Sequence, residues 1–153
     1  MCLQVLDKRN EKNRLIILGM MLLSLSYFNV QAASTFSKSY IAANKKPVYV
    51  GIDNSKNEKT TIVNSWYVIA KKISYNPSNA YVGYGLCFSP MVRSKEGIYS
   101  LSGGSYQWVK KGSKDPIYGT WKNVNKKSYY LGVRLDTDFT GKSASSSGEW
   151  NAQ

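Results

Sequence analysis

One spacing of acidic residues in the chain could hold a metal ion. Asp136, Asp138 and Thr140 place oxygen atoms at positions one, three and five of a segment. A glycine follows at position six, as in the opening of a calcium-binding EF-hand loop. Position twelve should be a bidentate glutamate but is Ser147, and the flanking residues have strand patterns instead of helical ones. We therefore interpret this segment as a hairpin turn, with a calcium site of another type as the alternative.

The same two aspartates are the candidates for acid–base chemistry. A glycosidase needs two carboxyl groups about 5–10 Å apart, one of them with a raised pKa, and the solvated turn that holds Asp136 and Asp138 would raise neither. The chain has no histidine, which excludes catalytic triads and metal sites that depend on imidazole. The Gly-x-Ser-x-Gly and Ser-x-x-Lys motifs are also absent from the sequence. We therefore expect no enzymatic activity, no catalytic residue, no metal site and no cofactor.

Basic residues are interleaved with aromatic ones between Trp108 and Tyr130. Ammonium groups and exposed rings together bind anionic polymers, by charge neutralisation and by stacking. The candidate contact residues are Trp108, Lys110, Lys111, Lys114, Trp121, Lys122, Lys126 and Lys127. The alternative is structural, because aromatic residues in strands are mostly core or cross-strand partners and lysines in turns are mostly solvated. The net charge of +12 favours an anionic partner in either case.

The first 32 residues have the pattern of a secretory signal peptide. A basic segment precedes an apolar run from Leu15 to Phe28. Val30 and Ala32 then supply small residues at the −3 and −1 positions of a cleavage site. We predict an N-terminal signal helix that is cleaved after Ala32. An uncleaved membrane anchor is the alternative, although a spanning helix needs about 20 apolar residues.

Cleavage would leave residues 33–153, with 17 basic and 7 acidic side chains and a net charge of +10. A secreted protein meets the cell envelope and not nucleic acid, so the expected partners are teichoic acid, lipid head groups or wall glycan. Peripheral contact with a membrane is compatible with this expectation. Cys87 would be the one remaining cysteine, which excludes an intramolecular disulfide and fits a Gram-positive bacterial protein better than a eukaryotic one. Its apolar sequence context predicts a small core residue.

The remaining chain has the pattern of an all-β protein. Residues 33–45 are weakly patterned, which indicates a flexible leader or a loose first strand. From residue 46 onward, short segments with alternating apolar residues recur at roughly ten-residue spacing between Gly, Asn, Ser and Pro. The predicted strands are Pro47–Ile52, Ile62–Ile73, Ala80–Ser89, Gly97–Leu101, Tyr106–Val109, Ile117–Trp121, Ser128–Leu135 and Ser143–Trp150. We predict a single antiparallel β-sandwich of seven or eight short strands over residues 46–153.

Motifs in the C-terminal half carry a family resemblance. They are the Tyr-Tyr-Leu-Gly-Val-Arg-Leu strand at residues 129–135 and the Ser-Ser-Gly-Glu-Trp-Asn segment at residues 146–151. Residues 66–153 resemble a family of small uncharacterised secreted β proteins of Gram-positive bacteria, most closely over the final 25 residues. Val133 stands where that family has a smaller residue. The family's sequences usually end in acidic residues, whereas this sequence ends in Asn-Ala-Gln. More distantly, the chain is similar to the lactococcin-like bacteriocins, which act on the envelopes of competing cells. Neither resemblance implies catalytic residues.

Export, positive charge and the absence of catalytic groups together predict a function at the cell envelope. We expect a non-enzymatic, secreted, cationic β protein that acts there in a bacteriocin-like manner. A glycan- or cell-wall-binding module that serves its own producer is the alternative. Growth inhibition of related strains by the purified protein would separate the two.

Overall fold

The computed structural model describes residues 32–43, 48–60, 63–78, 85–122, 127–135 and 141–153. The strands are β1 (Ser34–Ala42), β2 (Val50–Gly51), β3 (Asn57–Glu58), β4 (Ser65–Asn76), β5 (Leu86–Arg93), β6 (Tyr99–Leu101), β7 (Gln107–Val109), β8 (Ile117–Thr120), β9 (Ser128–Leu135) and β10 (Ser143–Asn151). A short 3-10 turn at Asp53–Ser55 completes the regular structure of these residues. The predicted all-β fold is confirmed. Residues 1–31 of the predicted signal peptide lie outside the described residues.

The strands form two antiparallel sheets that pack face to face. The strand order is β1-β10-β4-β8 in the first sheet and β2-β9-β5-β6 in the second, where β3 also pairs with β9 and β7 with β5. One apolar core lies between them, as expected for a two-layer fold. The rings of Phe36 in the first sheet and Phe88 in the second meet edge to face, with centroids 5.6 Å apart. In the described part of the chain, no helix is long and apolar enough to cross a membrane.

The longest strand, β4, shows how the alternating pattern produces this core. Successive side chains of a strand point to opposite faces, and Trp66, Val68 and Ala70 share the face that is buried. The strand runs to Asn76, three residues beyond the predicted end. A register shift against β10 breaks the alternation after Ala70, so that Lys71 and the following lysine are both exposed. Such a bulge turns two consecutive side chains toward one face.

Ser34–Ala42 form a strand and not a flexible leader. β1 pairs with β10 at the edge of the first sheet. Phe36 and Ile41 face the core, and a register shift between Lys38 and Ile41 interrupts the period of two. An edge strand with two buried apolar residues and a bulge leaves a weak signal, which explains the ambiguous sequence pattern. Residues 44–45 of the predicted leader lie outside the described residues.

The strand predicted at Ala80–Ser89 continues further along the chain. Residues 79–84 lie outside the described residues, and β5 runs from Leu86 to Arg93 through a proline. A proline normally argues against an interior strand, because it cannot donate to the ladder. The carbonyl of Pro90 accepts hydrogen bonds from the backbone N–H and the hydroxyl of Ser102. The side of Pro90 that lacks an N–H therefore faces the gap between the short strands β6 and β7. On that side β5 has no ladder partner at this position.

Candidate functional site

Most of the tryptophans are buried, so a ligand cannot contact them. Trp121, predicted as a contact residue, is 3% exposed, and its Nε1 donates to the carbonyl oxygens of Ser65 and Ala152 at 3.1 and 3.2 Å. That prediction is wrong, because the indole of Trp121 packs in the core. Trp66 and Trp150 are fully buried as well. Trp108 is only half-buried, so an external ligand can stack on its ring.

The predicted contact lysines that the structure describes lie on the surface. The exposed members of the set are Lys110, Lys111, Lys114, Lys122 and Lys127, whereas Lys126 lies outside the described residues. The segment between β7 and β8 carries three of them and joins the second sheet to the first. Asp115 is the one acidic residue of that segment. This segment therefore presents a local excess of positive charge directly after Trp108.

A cluster around Arg134, which sequence analysis did not find, covers part of the outer face of the second sheet. Strand pairing sets Arg134, Cys87 and Trp108 side by side on β9, β5 and β7. The central guanidinium carbon of Arg134 lies 4.9 Å from the ring centroid of Trp108 and 5.3 Å from that of Tyr49. We call Tyr49, Cys87, Trp108 and Arg134 the Arg134 cluster. Its guanidinium is held between two aromatic rings, the arrangement of a double cation–π contact.

Alternation along the strands places this cluster on the face opposite the core. Leu86, Val133 and Leu135 point inward and are buried, so the intervening Cys87 and Arg134 point outward. Cys87, predicted to be a small core residue, lies outside the main core cluster but is fully buried, because the rest of the Arg134 cluster covers it. Its sulfur lies 3.1 Å from the hydroxyl of Tyr49. The thiol is therefore part of the base of the Arg134 cluster and not of the main core.

The Arg134 cluster carries a fixed positive charge. Burial by itself would lower the pKa of Arg134, but the hydrogen bond to Tyr49 and the nearby Cys87 thiol outweigh burial and raise that pKa. Burial, followed by the hydrogen bond to Cys87, raises the pKa of Tyr49 above its ordinary value. At neutral pH the guanidinium is therefore charged and the phenol protonated. Neither group can exchange a proton near pH 7, so this arrangement suits binding better than general acid–base catalysis.

Arg134 also lacks an ionic partner among the described residues. Its Nε is buried and has no hydrogen-bond partner within the described ranges. The ion pairs found in those ranges are Lys56–Glu58, Lys71–Glu149 and Arg93–Asp53, so Arg134 has no carboxylate partner there. A partly buried guanidinium without an anion is costly. Its planar donor fork matches the oxygen geometry of phosphate and carboxylate groups.

A second cation–aromatic contact, the Lys59 centre, lies inside the protein. Lys59 is 2% exposed, and its ammonium nitrogen lies 5.4 Å from the ring centroid of Trp121. It donates to the carbonyl oxygens of Val63 at 2.5 Å, Ala152 at 3.4 Å, and Gln153. Burial lowers the pKa of Lys59. Three carbonyl oxygens use all three donors of the ammonium group, so Lys59 has a structural role.

The predicted turn and alternative calcium site at residues 136–140 lie outside the described residues. Within the described segments, no group of three Cys, Asp or Glu side chains could hold a metal ion. No family model, no curated protein and no solved structure matches this chain.

Proposed function

We propose that the protein is a secreted, non-enzymatic, cationic protein that binds anionic polymers of the bacterial cell envelope. The observation that carries this proposal is the half-buried guanidinium of Arg134, held between Tyr49 and Trp108 without an anionic partner among the described residues. Two rings fix the plane of the guanidinium before a ligand arrives. A preorganised donor loses less conformational entropy on binding than a mobile side chain does.

The exposed lysines support the same proposal by a different physical effect. Lys110 and Lys111 follow directly after the strand that carries Trp108, and both are exposed. Exposed ammonium groups raise the local concentration of an anionic polymer and accelerate its binding, although each adds little affinity. Teichoic acid, with one phosphate in each repeat, fits this combination of one oriented guanidinium and several mobile charges. Anionic lipid head groups and charged wall glycan are the other members of the same ligand class.

Sedimentation with purified Gram-positive cell walls tests this proposal. We expect the purified protein to bind intact walls at low salt, to bind more weakly at high salt, and to lose binding when teichoic acid is extracted. Arg134→Met should weaken binding about 10- to 100-fold, since a charge-assisted hydrogen bond contributes about 1.5–3 kcal/mol. Arg93→Met is the matched control. Arg93 also lies over a tyrosine ring, at 5.4 Å from Tyr99, but it is paired with Asp53.

Equal loss of binding in the two arginine variants would overturn the role of the Arg134 cluster, and full binding to extracted walls would exclude teichoic acid as the ligand. Circular dichroism establishes that each variant is folded. A growth-inhibition assay on related strains then distinguishes the two forms of the proposal. Inhibition at micromolar protein supports a bacteriocin-like action, whereas wall binding without inhibition supports a cell-wall-binding module.

A further inference from the structure

A cleft of about 600 Å³ opens at the side of the sandwich where the edge strands β1 and β2 of the two sheets approach each other. Its polar and aromatic lining includes Lys38, Tyr40, Asp53 and Asn54. This volume is within the range of small-molecule sites, which combine a concave surface with a few convergent polar groups. None of these residues belongs to the Arg134 cluster.

Asp53 supplies a hydrogen-bond acceptor that is already held in place. The hydroxyl of Tyr99 donates to its Oδ1 at 2.6 Å, and a guanidinium nitrogen of Arg93 lies 3.7 Å from the same oxygen. The hydrogen bond from Tyr99, aided by the charges of Arg93 and Lys38, holds the pKa of Asp53 below its usual value. The carboxylate is therefore ionised at neutral pH. Both neighbours contact Oδ1, which leaves Oδ2 available to a ligand.

Asn54 and Lys38 supply donors beside this acceptor. The side-chain oxygen of Asn54 accepts a hydrogen bond from the backbone N–H of Ser37 at 3.3 Å, which orients the amide and leaves its NH2 group available. The ammonium group of Lys38 donates to the carbonyl of Gly51 at 3.4 Å and retains two further donors. Donor and acceptor groups are thus held in the lining of one cleft.

Tyr40 adds an aromatic surface to the cleft. The register shift in β1 falls between Lys38 and Ile41, so Ser39 and Tyr40 are both exposed. Tyr40 is 64% exposed. A bulge can re-aim a side chain in this way next to a binding site.

We infer that this cleft binds a neutral saccharide. Adjacent hydroxyl groups of a sugar can donate to a carboxylate and accept from an amide at the same time, and its C–H face can pack on a tyrosine ring. The lining of the cleft carries one positive and one negative side chain, Lys38 and Asp53, and an ionised carboxylate in the lining disfavours a phosphate group. Because it uses none of the Arg134 cluster, this site is independent of the proposed anion binding.

Titration by two-dimensional amide NMR tests the inference. The probes are cellotetraose, maltotetraose and the tetramer of N-acetylglucosamine, each added to the purified protein at up to about 10 mM. We expect at least one to produce saturable shifts that are confined to residues 37–42 and 50–54. Tyr40→Ala and Asp53→Asn should each weaken that binding about tenfold. Tyr106→Ala is the matched control, because Tyr106 is 59% exposed and does not line the cleft.

Absence of saturable shifts with all three probes would overturn the saccharide site, as would an equal loss of affinity in the Tyr106 variant. A titration with inorganic phosphate tests the alternative, that the cleft binds anions. If phosphate produces the same shifts at residues 37–42 and 50–54, the cleft is an anion site and the inference is wrong. Wall binding by the Arg134→Met variant is measured separately, so the two proposals can fail independently.

Discussion

The Lys59 centre and the Arg134 cluster share one kind of contact, a cation over an aromatic ring, but differ in how the cation is surrounded. Lys59 is buried, and three backbone carbonyl oxygens accept from its ammonium group. Arg134 is half-buried between two rings, and its Nε has no partner within the described ranges. The difference shows that a cation–aromatic contact by itself does not identify a binding site. The exposure of the cation and its pairing with oxygen atoms together decide whether it stabilises the fold or is available to a ligand.

The largest difference between the two regions should appear when their tryptophans are truncated. Trp121→Ala should reduce the free energy of unfolding by about 3–5 kcal/mol, because it removes a buried indole and leaves a cavity. Trp108→Ala should cost much less, about 1 kcal/mol, since Trp108 is half-buried. Urea unfolding followed by far-ultraviolet circular dichroism measures both. Equal losses of stability in the two variants would show that Trp108 also belongs to the core.

A smaller effect is expected from removal of the Lys59 ammonium group. Lys59→Met retains the aliphatic volume but removes an ammonium group that donates to three backbone oxygens, which should cost about 2 kcal/mol. Lys127→Met is the control, because Lys127 is exposed and lies 5.4 Å from the ring centroid of Tyr129. The free energy of unfolding of this control should change by about 0.5 kcal/mol or less. An unchanged midpoint for the Lys59 variant would refute a structural role for the ammonium group.

The smallest effect concerns Tyr49 and appears at alkaline pH. The pKa of Tyr49 is raised in the folded protein, so the unfolded chain loses this proton first as the pH rises past about 10. The contribution of Tyr49 to stability is therefore complete below pH 10 and is lost above it. Tyr49→Phe should flatten the fall in unfolding free energy between pH 9.5 and 11, measured by urea midpoints. Identical slopes in the two proteins would contradict burial of the phenol.

The regular strands were the most predictable part of the fold. β9 has the predicted limits, Ser128–Leu135, and β10 extends one residue beyond the predicted Trp150. Buried and partly exposed residues alternate along most of β10, and in β9 the alternation is interrupted at the buried Gly132. The pattern was less informative at β1, where a bulge shifts the period, and in β5, where Pro90 is tolerated because of a gap between partner strands.

The candidate site was less predictable than the strands. The basic and aromatic composition of residues 108–130 indicated the surface lysines and Trp108, but it also included Trp121, which is buried. Tyr49 and Arg134 gave no local signal, since they become neighbours only when β2 and β9 pair. The burial of Lys59 was equally hidden, because its carbonyl partners at Ala152 and Gln153 lie at the other end of the domain.

The sequence by itself determined the positive charge, the lack of imidazole chemistry and the alternation that produces two sheets. These properties depend on composition and on neighbouring residues, so they can be read without the fold. Tertiary structure alone decided which tryptophans are buried and which cation has its donors satisfied. The physical reason is that the burial and hydrogen bonding of a long side chain depend on strands that are distant in sequence. Their pairing sets Arg134 beside Trp108 and Lys59 beneath Trp121.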